Sequence, residues 1–313
     1  MEINFAFPQI WLLGFFIFPV VFVLFIVHFL ARKKSVLIFS EAKLLQNLVS
    51  SKLGLKKILL YFFDFLIILV LFLTLARPQY PITLPVSGYA VGIIIDISGS
   101  MMATDFFPSR ISVAKDVAKI FINKLKGNFE ACLVTFNNNV FVNQSLTSSK
   151  EELLLSLAQV NANYGGTAIG DAITTTLAVL EGSSMPHKVI VLLTDGENNY
   201  GIDPIQAAQR AKTKKIPIYC IGMGTTSGAY IPGIPYPVRI DEATLKEIAK
   251  MTGGEYYWGN STANLQKIYS NLAEKVGKVK KNQDISSIFA GVALLLVILK
   301  IMINSLFIRS VEL

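Results

Sequence analysis

The sequence is poor in the residues that build disulfide frameworks and histidine-based active sites. Its 313 residues include two cysteines and two histidines. Two cysteines are too few for a disulfide-rich scaffold. Cys132 and Cys220 lie inside apolar, strand-like runs, so we expect two separately buried thiols, although an oxidising compartment would permit a disulfide. His187 precedes an apolar run and is expected to be an ordinary loop residue.

Charged residues are also scarce, at 16% of the chain against 52% hydrophobic residues. This balance departs from that of an ordinary soluble protein. The apolar surplus lies in three runs, 10–31, 58–76 and 285–308, and each is long enough to cross about 30 Å of hydrocarbon. We therefore expect three transmembrane helices. The predicted segments are an N-terminal transmembrane helix within 1–31, a basic cytoplasmic loop over 32–57, a second transmembrane helix over 58–76, an extended linker over 77–88, a globular domain over 89–280 and a C-terminal transmembrane helix over 285–308.

The distribution of basic residues predicts how these helices are oriented. The first nine residues, MEINFAFPQ, carry no positive charge, which argues against a cleaved signal peptide. Segment 32–57 has a strong excess of lysine and arginine over its single acidic residue, Glu41, which marks it as cytoplasmic. The lysines over 275–281 oppose this orientation but lie beside a single span. We expect a multi-pass protein of a bacterial inner membrane with its globular domain on the outer, periplasmic side. The net charge of +8 then reflects topology and lipid contact, and we expect no nucleic-acid binding.

Between the apolar runs, strand patterns alternate with helix patterns. The strands, some apolar throughout, are predicted at 89–96, 130–136, 140–144, 188–194, 216–222 and 255–258, and the helices at 109–126, 149–160, 168–181, 203–214, 241–251 and 261–279. Strands that are apolar on both faces are typical of a sheet covered by helices on both sides. The pattern predicts an α/β fold with a mostly parallel, doubly wound sheet. A hairpin at 137–141 predicts one antiparallel edge strand, and 225–239 is predicted to be a loop at the rim.

Oxygen-bearing side chains lie in three loops at one edge of this predicted sheet, two of them after strands and one at the start of a helix. Asp96, Ser98 and Ser100 follow the first strand in VGIIIDISGSM, Thr167 lies in YGGTAIGDA, and Asp195 follows the strand KVIVLLT. In open α/β sheets, ligands bind beyond the carboxyl ends of the strands. Carboxylates and hydroxyls without sulfur or imidazole suit Mg²⁺, Mn²⁺ or Ca²⁺. Alternatively, Asp96 and Ser98 could serve only as caps of turns and of the following helix. That role would not explain why three separate loops supply oxygen ligands to the same edge.

These residues resemble the metal-ion-dependent adhesion site (MIDAS) of von Willebrand factor A (VWA) domains. DISGSMMATDFFPSR, GGTAIGDA, LLTDGENN and IDEATLKEIAKMTGGEYY carry the resemblance over about 85–275. Together with the flanking spans and LARP, they are similar to the membrane-anchored VWA proteins of the Bacteroides aerotolerance (Bat) A type. The resemblance implies a Rossmann-like fold. It also implies a divalent cation, Mg²⁺ first, held by Ser98, Ser100 and Thr167, with Asp96 and Asp195 binding directly or through water.

The same resemblance implies partners. An acidic residue of a partner protein would complete the metal shell, and proteins of this kind are associated with other membrane VWA proteins and with MoxR-type AAA+ ATPases in envelope-stress or assembly roles. Four further residues are candidates for a partner-binding rim, although each could be an ordinary loop or cap residue: Asp105, Arg110, Glu197 and Asn198. Three ionisable residues lie within the spans, where such groups are costly: His28, Asp64 and Lys300. Asp64 could pair with Lys300 or His28, or Lys300 and His28 could extend to the interface independently.

These residues are compatible with three classes of function. The first is a non-enzymatic, metal-dependent protein-binding module anchored in the inner membrane. The second is an adhesion or channel-accessory subunit that binds extracellular ligands. The third is a metal-dependent hydrolase, which is disfavoured because the sequence has no GxSxG motif, no histidine near the rim and no second group of metal ligands.

Overall fold

A computed structural model describes residues 43–224 and 241–309, together with residues 4–7, 9, 10, 14, 16, 19, 20 and 23. The chain divides into two compact units, Leu84–Val279 and Met1–Thr83 with Lys280–Leu313. In chain order the described elements are β1 (Asn4–Phe5), α1 (Lys43–Leu75), β2 (Pro78–Pro85), β3 (Tyr89–Asp96), a 3₁₀ turn (Gly99–Met102), α2 (Arg110–Lys124), β4 (Phe129–Phe136), β5 (Val140–Thr147), α3 (Lys150–Gln159), α4 (Ile169–Glu181), β6 (His187–Thr194), α5 (Pro204–Thr213), β7 (Ile218–Met223), α6 (Glu242–Thr252), β8 (Tyr256–Gly259), α7 (Thr262–Val276), β9 (Lys278–Asp284) and α8 (Ser286–Arg309).

The unit Leu84–Val279 is built on a six-stranded sheet in the order β5-β4-β3-β6-β7-β8. Neighbouring strands are parallel except for β4 and β5, which are antiparallel. The predicted fold class is therefore confirmed, including the antiparallel edge strand. Strand β3 lies between β4 and β6 and is buried over its whole length. Its carboxyl end therefore meets that of β6, the neighbouring parallel strand.

Helices cover both faces of this sheet, and the pleat of β3 supplies one side chain to each core in turn. Val91, Ile93 and Ile95 pack into the core formed with α2, α3 and α7. Ala90 and Ile94 face the opposite core, formed with α4, α5 and α6. Between them, Gly92 lets α4 approach closely, because a Cβ at this position would lie 2.2 Å from Thr176 Cγ2. The two cores hold β3 rigidly from both sides and so fix the position of its tip.

The helices begin where their capping residues predict. Ser109 accepts a hydrogen bond from the backbone nitrogen of Ser112 at 3.3 Å at the start of α2. Asp203 caps α5 and is followed by Pro204 in the first turn. Each such cap stabilises its helix by about 1 kcal/mol. Helix α6 ends at Gly253, whose φ of +79° is the left-handed conformation that glycine adopts most readily.

The two cysteines lie in separate strands and are free, buried thiols. Burial raises the pKa of Cys132 to about 12, and it also raises the pKa of Cys220. Both thiols therefore stay protonated at neutral pH and act as small apolar side chains in the core.

The other unit contains two long helices and a small sheet. The sheet has the order β1-β2-β9, and β1 pairs antiparallel with the first residues of β2. The predicted linker 77–88 thus contains a strand, which its prolines keep extended. At the start of this strand, Arg77 Nε donates to Asp284 Oδ2 at 2.8 Å. Helix α1 includes residues 43–57, which we predicted to be a loop; this segment is rich in leucine and lysine, both good helix formers.

The prediction of three transmembrane helices is not supported by the described residues. Within the described residues, one helical stretch is long and apolar enough to cross a membrane by length and composition, Ser286–Ser305, with a mean hydropathy of 2.4. It lies in the predicted third span. The second predicted span corresponds to a shorter apolar stretch of α1, Leu59–Leu75. Most of the first predicted span and the whole rim loop 225–239 lie outside the described residues.

Candidate metal centre

The candidate metal centre lies at the carboxyl edge of the sheet, where β3 and β6 end side by side. Ile95 is paired with Leu193 in the parallel ladder, so Asp96, the last residue of β3, and Asp195, which follows β6, lie at adjacent strand ends. The loop before α4 joins them there, because Gly99 N donates to Gly165 O at 3.4 Å and Asn163 N donates to Ile97 O at 2.9 Å. Chain topology therefore brings the three predicted loops to one place.

A chain of short polar contacts connects the predicted ligands. Ser98 Oγ and Ser100 Oγ are 2.9 Å apart, and Ser100 Oγ donates to Asp195 Oδ1 at 2.5 Å. Thr167 Oγ1 lies beside this chain, because a Cβ on Gly196 would meet it at 3.3 Å and Ser100 Oγ at 4.0 Å. All of these side chains are buried or nearly so. The structure thus brings Asp96, Ser98, Ser100, Thr167 and Asp195 to one edge of the sheet, where Ser100 binds Asp195 directly and Ser98 is linked to it through Ser100.

Asp96 is held by two donors and is fully buried. Its Oδ1 accepts from Ser98 N at 2.8 Å, and its Oδ2 accepts from Thr194 Oγ1 at 2.6 Å. Burial, followed by the charge of nearby Asp195, raises the pKa of Asp96 to about 7. Both effects disfavour a bare carboxylate here, and a bound cation would relieve both.

Asp195 is held by a buried arginine from α2. Arg110 Nη1 donates to Asp195 Oδ2 at 2.6 Å, while Nε and Nη2 donate to the two carboxylate oxygens of Asp105 at 2.8 and 2.7 Å. Burial raises the pKa of Asp195, although the charge of Arg110 opposes the shift. Burial also acts to lower the pKa of Arg110, but its hydrogen bond to Asp105 and the charge of Asp195 outweigh this effect and raise it. The guanidinium therefore stays charged and fixes the direction of Asp195.

Two neighbouring asparagines of the Asp195 loop position Thr167. Asn199 Oδ1 accepts from Thr167 N, and Asn198 Oδ1 accepts from Ile169 N, both at 2.7 Å. The second bond satisfies a free amide at the start of α4, where Ala168 offers no side-chain cap. Asn199 N also donates back to Thr167 O at 3.0 Å. Sequence reasoning missed Asn199 and Thr194; their position beside Asp195 in LLTDGENN is the only signal of their roles.

This arrangement follows a known family pattern. The family model of the von Willebrand factor type A domain matches residues 91–271, which is more than half of the chain.

The chain belongs to the von Willebrand factor type A domain family.

Among its relatives is a UPF0353 protein of Mycobacterium bovis, 30% identical over 81% of this chain and 80% of that protein. Among solved structures, BatB of Bacteroides thetaiotaomicron is 28% identical with a TM-score of 0.55, covering 60% of this chain and 98% of that chain. An aerotolerance-related membrane protein of Bacteroides fragilis is 29% identical with a TM-score of 0.54, covering 60% of this chain and 100% of that one. The VWA fold is thus established, and the domain is similar to those of these two Bacteroides proteins.

A more distant VWA structure contains a metal. Proximal thread matrix protein 1 of the mussel byssus has zinc in its MIDAS motif; it is 22% identical to this chain, with a TM-score of 0.52, and the match covers 64% of this chain and 49% of that chain. At this identity the similarity concerns the fold. Metal binding by this VWA domain depends on the residues of its own site.

The charges of the VWA site fit a divalent cation. Asp96, Asp195 and Asp105 contribute −3 and Arg110 contributes +1, so the fully ionised cluster carries −2, and its side chains are between 0% and 16% exposed. A buried net charge of −2 is unfavourable without a counter-ion, and a divalent ion would neutralise it. Within the described residues no three His, Cys, Asp or Glu side chains form a metal-ligating group. Hydroxyls would therefore have to complete the ligand set, as in a hard-cation site.

The structure separates the four rim candidates. Glu197 is exposed, as expected for a residue that could touch a partner. Arg110 is only 1% exposed, and its guanidinium is bound to Asp105 and Asp195. The rim assignment of Arg110 is therefore corrected: it faces inward, and Asp105 holds it there. Asn198 is half-buried and caps α4.

The intramembrane candidates belong to the other unit. Lys300 Nζ on α8 contacts Asp64 Oδ1 on α1, one of the two pairings considered for Asp64. His28 lies outside the described residues. A role for this pair remains a prediction.

Proposed function

We propose that this chain is a non-enzymatic protein-binding module that captures its partner through a divalent cation at the VWA site. The observation that carries the proposal is the buried cluster at the tips of β3 and β6, where two carboxylates with raised pKa values lie beside three hydroxyls. Asp96, Ser98, Ser100, Thr167 and Asp195 would hold the ion. Mg²⁺ suits these hard oxygen donors best, and Mn²⁺ or Ca²⁺ would fit the same chemistry.

The cation would supply an electrophilic point that an outside carboxylate can complete. Hydroxyl ligands bring no charge, and Arg110 already neutralises part of the charge of Asp195. The ion would therefore keep its attraction for an anionic ligand. An acidic side chain of a partner protein is the ligand that this site favours, and such binding requires no catalytic base.

We further propose that the module is anchored in a bacterial inner membrane. The apolar stretch Ser286–Ser305 supports this, as do the apolar stretch of α1 and the similarity to an aerotolerance-related membrane protein of Bacteroides fragilis. Three spans, with the basic segment 32–57 in the cytoplasm, would place the VWA domain on the outer side. By the Bat resemblance, its partners would be other membrane VWA proteins and a MoxR-type AAA+ ATPase system in envelope stress or assembly. With this topology, a cytoplasmic ATPase would reach only segment 32–57 and the C-terminal tail.

The partner arrangement is tested by crosslinking in membranes followed by purification in Mg²⁺ or in chelator. Asp96→Ala removes a central ligand, and Asp116→Ala, an exposed position of α2, is the matched control. We expect partners to co-purify with the wild type and the control in Mg²⁺, and to be lost with chelator or with Asp96→Ala. Equal recovery under all conditions would contradict metal-bridged binding. Release of phosphate or hydrolysis of an ester by the purified chain, lost in Asp96→Ala, would favour a hydrolase instead.

A further inference from the structure

The three loops that form the metal site carry the most exposed aromatic side chains that the structure describes in the VWA domain. Among the described residues of 84–279, Phe107 is 88% exposed, Tyr164 80% and Tyr200 51%. Each belongs to a different loop: Phe107 follows Asp105, Tyr164 precedes the two glycines before Thr167, and Tyr200 follows Asn199. Large apolar side chains are unfavourable in water, so three of them around one site require a reason.

Tyr164 and Tyr200 lie directly beside the candidate ligands. A Cβ on Gly99, between Ser98 and Ser100, would lie 3.8 Å from Tyr164 Cα. Tyr200 N donates to Thr167 O at 3.2 Å. The ring of Tyr200 covers Gly166, where an added Cβ would meet Tyr200 Cδ2 at 2.3 Å. The ring of Tyr200 and the backbone that carries the exposed side chain of Tyr164 therefore lie beside the site.

Phe107 is tied to the site from the other side. Asp105 is fixed by the guanidinium of Arg110, which also binds Asp195. Phe106 is buried, at 3% exposure, and anchors the segment in the core. Phe107 is therefore held in an exposed position by two neighbours that cannot move freely.

The charges of these loops distinguish between classes of ligand. Segments 97–109, 161–168 and 195–203 contain no lysine or arginine, and Asp105 and Glu197 add negative charge. A phosphate-rich surface, whether lipid or nucleic acid, is recognised through basic side chains, and the loops have none to offer. Aromatic rings are instead the residues that most often dominate protein interfaces, at the centre of the contact.

We propose that Phe107, Tyr164 and Tyr200 together surround the metal site, and we call these three side chains the aromatic ring. The aromatic ring would dock a protein segment that bears one acidic side chain flanked by apolar side chains. This proposal rests on the proposed function, because the acidic side chain is the group that meets the cation. The ring supplies the apolar part of the contact. Recognition therefore requires both chemistries in one short segment, whereas an isolated carboxylate meets only the cation.

The test uses the full-length chain in detergent and a phage-displayed library of short random peptides, selected in Mg²⁺ and eluted with chelator. We expect the enriched peptides to share an aspartate or glutamate with aromatic or aliphatic neighbours. Their affinities are then measured for Phe107→Ser and Tyr164→Ser, each expected to bind roughly ten-fold more weakly. Leu155→Ser is the matched control, because Leu155 is 68% exposed on α3 and should bind as the wild type does. Mg²⁺ affinity should be unchanged in all three variants.

The outcomes separate the ring from the metal site. The aromatic ring would be overturned, and metal-dependent binding left intact, by either of two results. The Mg²⁺-dependent peptides could lack apolar residues beside the acidic one, or they could bind Phe107→Ser and Tyr164→Ser as tightly as the wild type. An absence of Mg²⁺-dependent peptides would overturn both. If the chain self-associates and this association is lost in Phe107→Ser and Tyr164→Ser, the aromatic ring binds a second copy of this chain. That result would also contradict the proposal.

Discussion

Replacing Arg110 with methionine tests how the candidate metal centre is held together. Methionine is unbranched and apolar, so it keeps the packing of the aliphatic part of Arg110 and removes the guanidinium with its three hydrogen bonds to Asp105 and Asp195. Asp195 would then remain fully buried without its cationic partner, and the charge of the ionised cluster would change from −2 to −3. Breaking a buried ion pair by removing one partner typically destabilises a protein by about 3–5 kcal/mol.

For a domain of this size, each kcal/mol corresponds to roughly 2–4 °C in melting temperature. We therefore expect Arg110→Met to melt about 6–20 °C below the wild type in chelator. Intrinsic fluorescence reports this transition, because Trp258 on β8 is the one tryptophan of segment 84–279. Mg²⁺ should restore part of the lost melting temperature of Arg110→Met, because it neutralises the negative charge of the cluster. Arg210→Met, at an exposed position of α5, is the control. If both arginine variants melt within about 1 °C of the wild type, the electrostatic account of the site is refuted.

Three further predictions concern pH, the contact between helices α1 and α8, and one turn. Burial and a neighbouring carboxylate raise the pKa of Asp96 to about 7, so protons compete with the cation below this pH; calorimetry should find Mg²⁺ affinity falling about ten-fold per unit from pH 7 to pH 5. For the same reason, the melting temperature of the metal-free protein should fall as the pH rises from about 4 to 7, and a flat profile would exclude a raised pKa. Reversing the charge of Asp64 or of Lys300 alone should reduce the yield of folded protein in membranes, and exchanging the two should restore it; failure of the exchange would show that the contact between α1 and α8 is incidental. Gly201→Ala combines a φ of +72° with a Cβ placed 2.0 Å from a carboxylate oxygen of α4, whereas Gly253→Ala has a φ of +79° and open space. The first should therefore lower the melting temperature more than the second, and equal losses would show that the loop adjusts freely.

The fold could be predicted from the sequence because its signals are local. The strand β3 is apolar on both faces, and Ser109 and Asp203 mark helix starts through contacts with residues two or three positions away. The five candidate ligands could be identified because each follows or precedes such an element at a strand edge. Alternation of strands and helices then determines which edge they share.

The remaining parts depend on contacts between distant segments. Arg110 and Asp195 are 85 residues apart, and an arginine in the first turn of a helix has the sequence signature of an exposed residue. Thr194 and Asp96, 98 residues apart, meet only because β6 pairs with β3. The segment that forms β2 is predicted from its sequence to be an extended linker. Its pairing partner β9, KVKKNQD, has no alternation of apolar residues and therefore gives no sign of a strand. In each case the two members of the pair are distant in the sequence, and only the folded topology shows that they meet.

The most direct test of the central claim is calorimetric titration of Mg²⁺ into the full-length chain at pH 8, where Asp96 is ionised. The account predicts one bound ion per chain for the wild type and for Asp116→Asn. It predicts loss of at least ten-fold in affinity for Asp96→Asn, which keeps the shape of the side chain and removes its charge. A wild type that binds neither Mg²⁺ nor Mn²⁺ or Ca²⁺, or an Asp96→Asn variant that binds as tightly as the wild type, would contradict it.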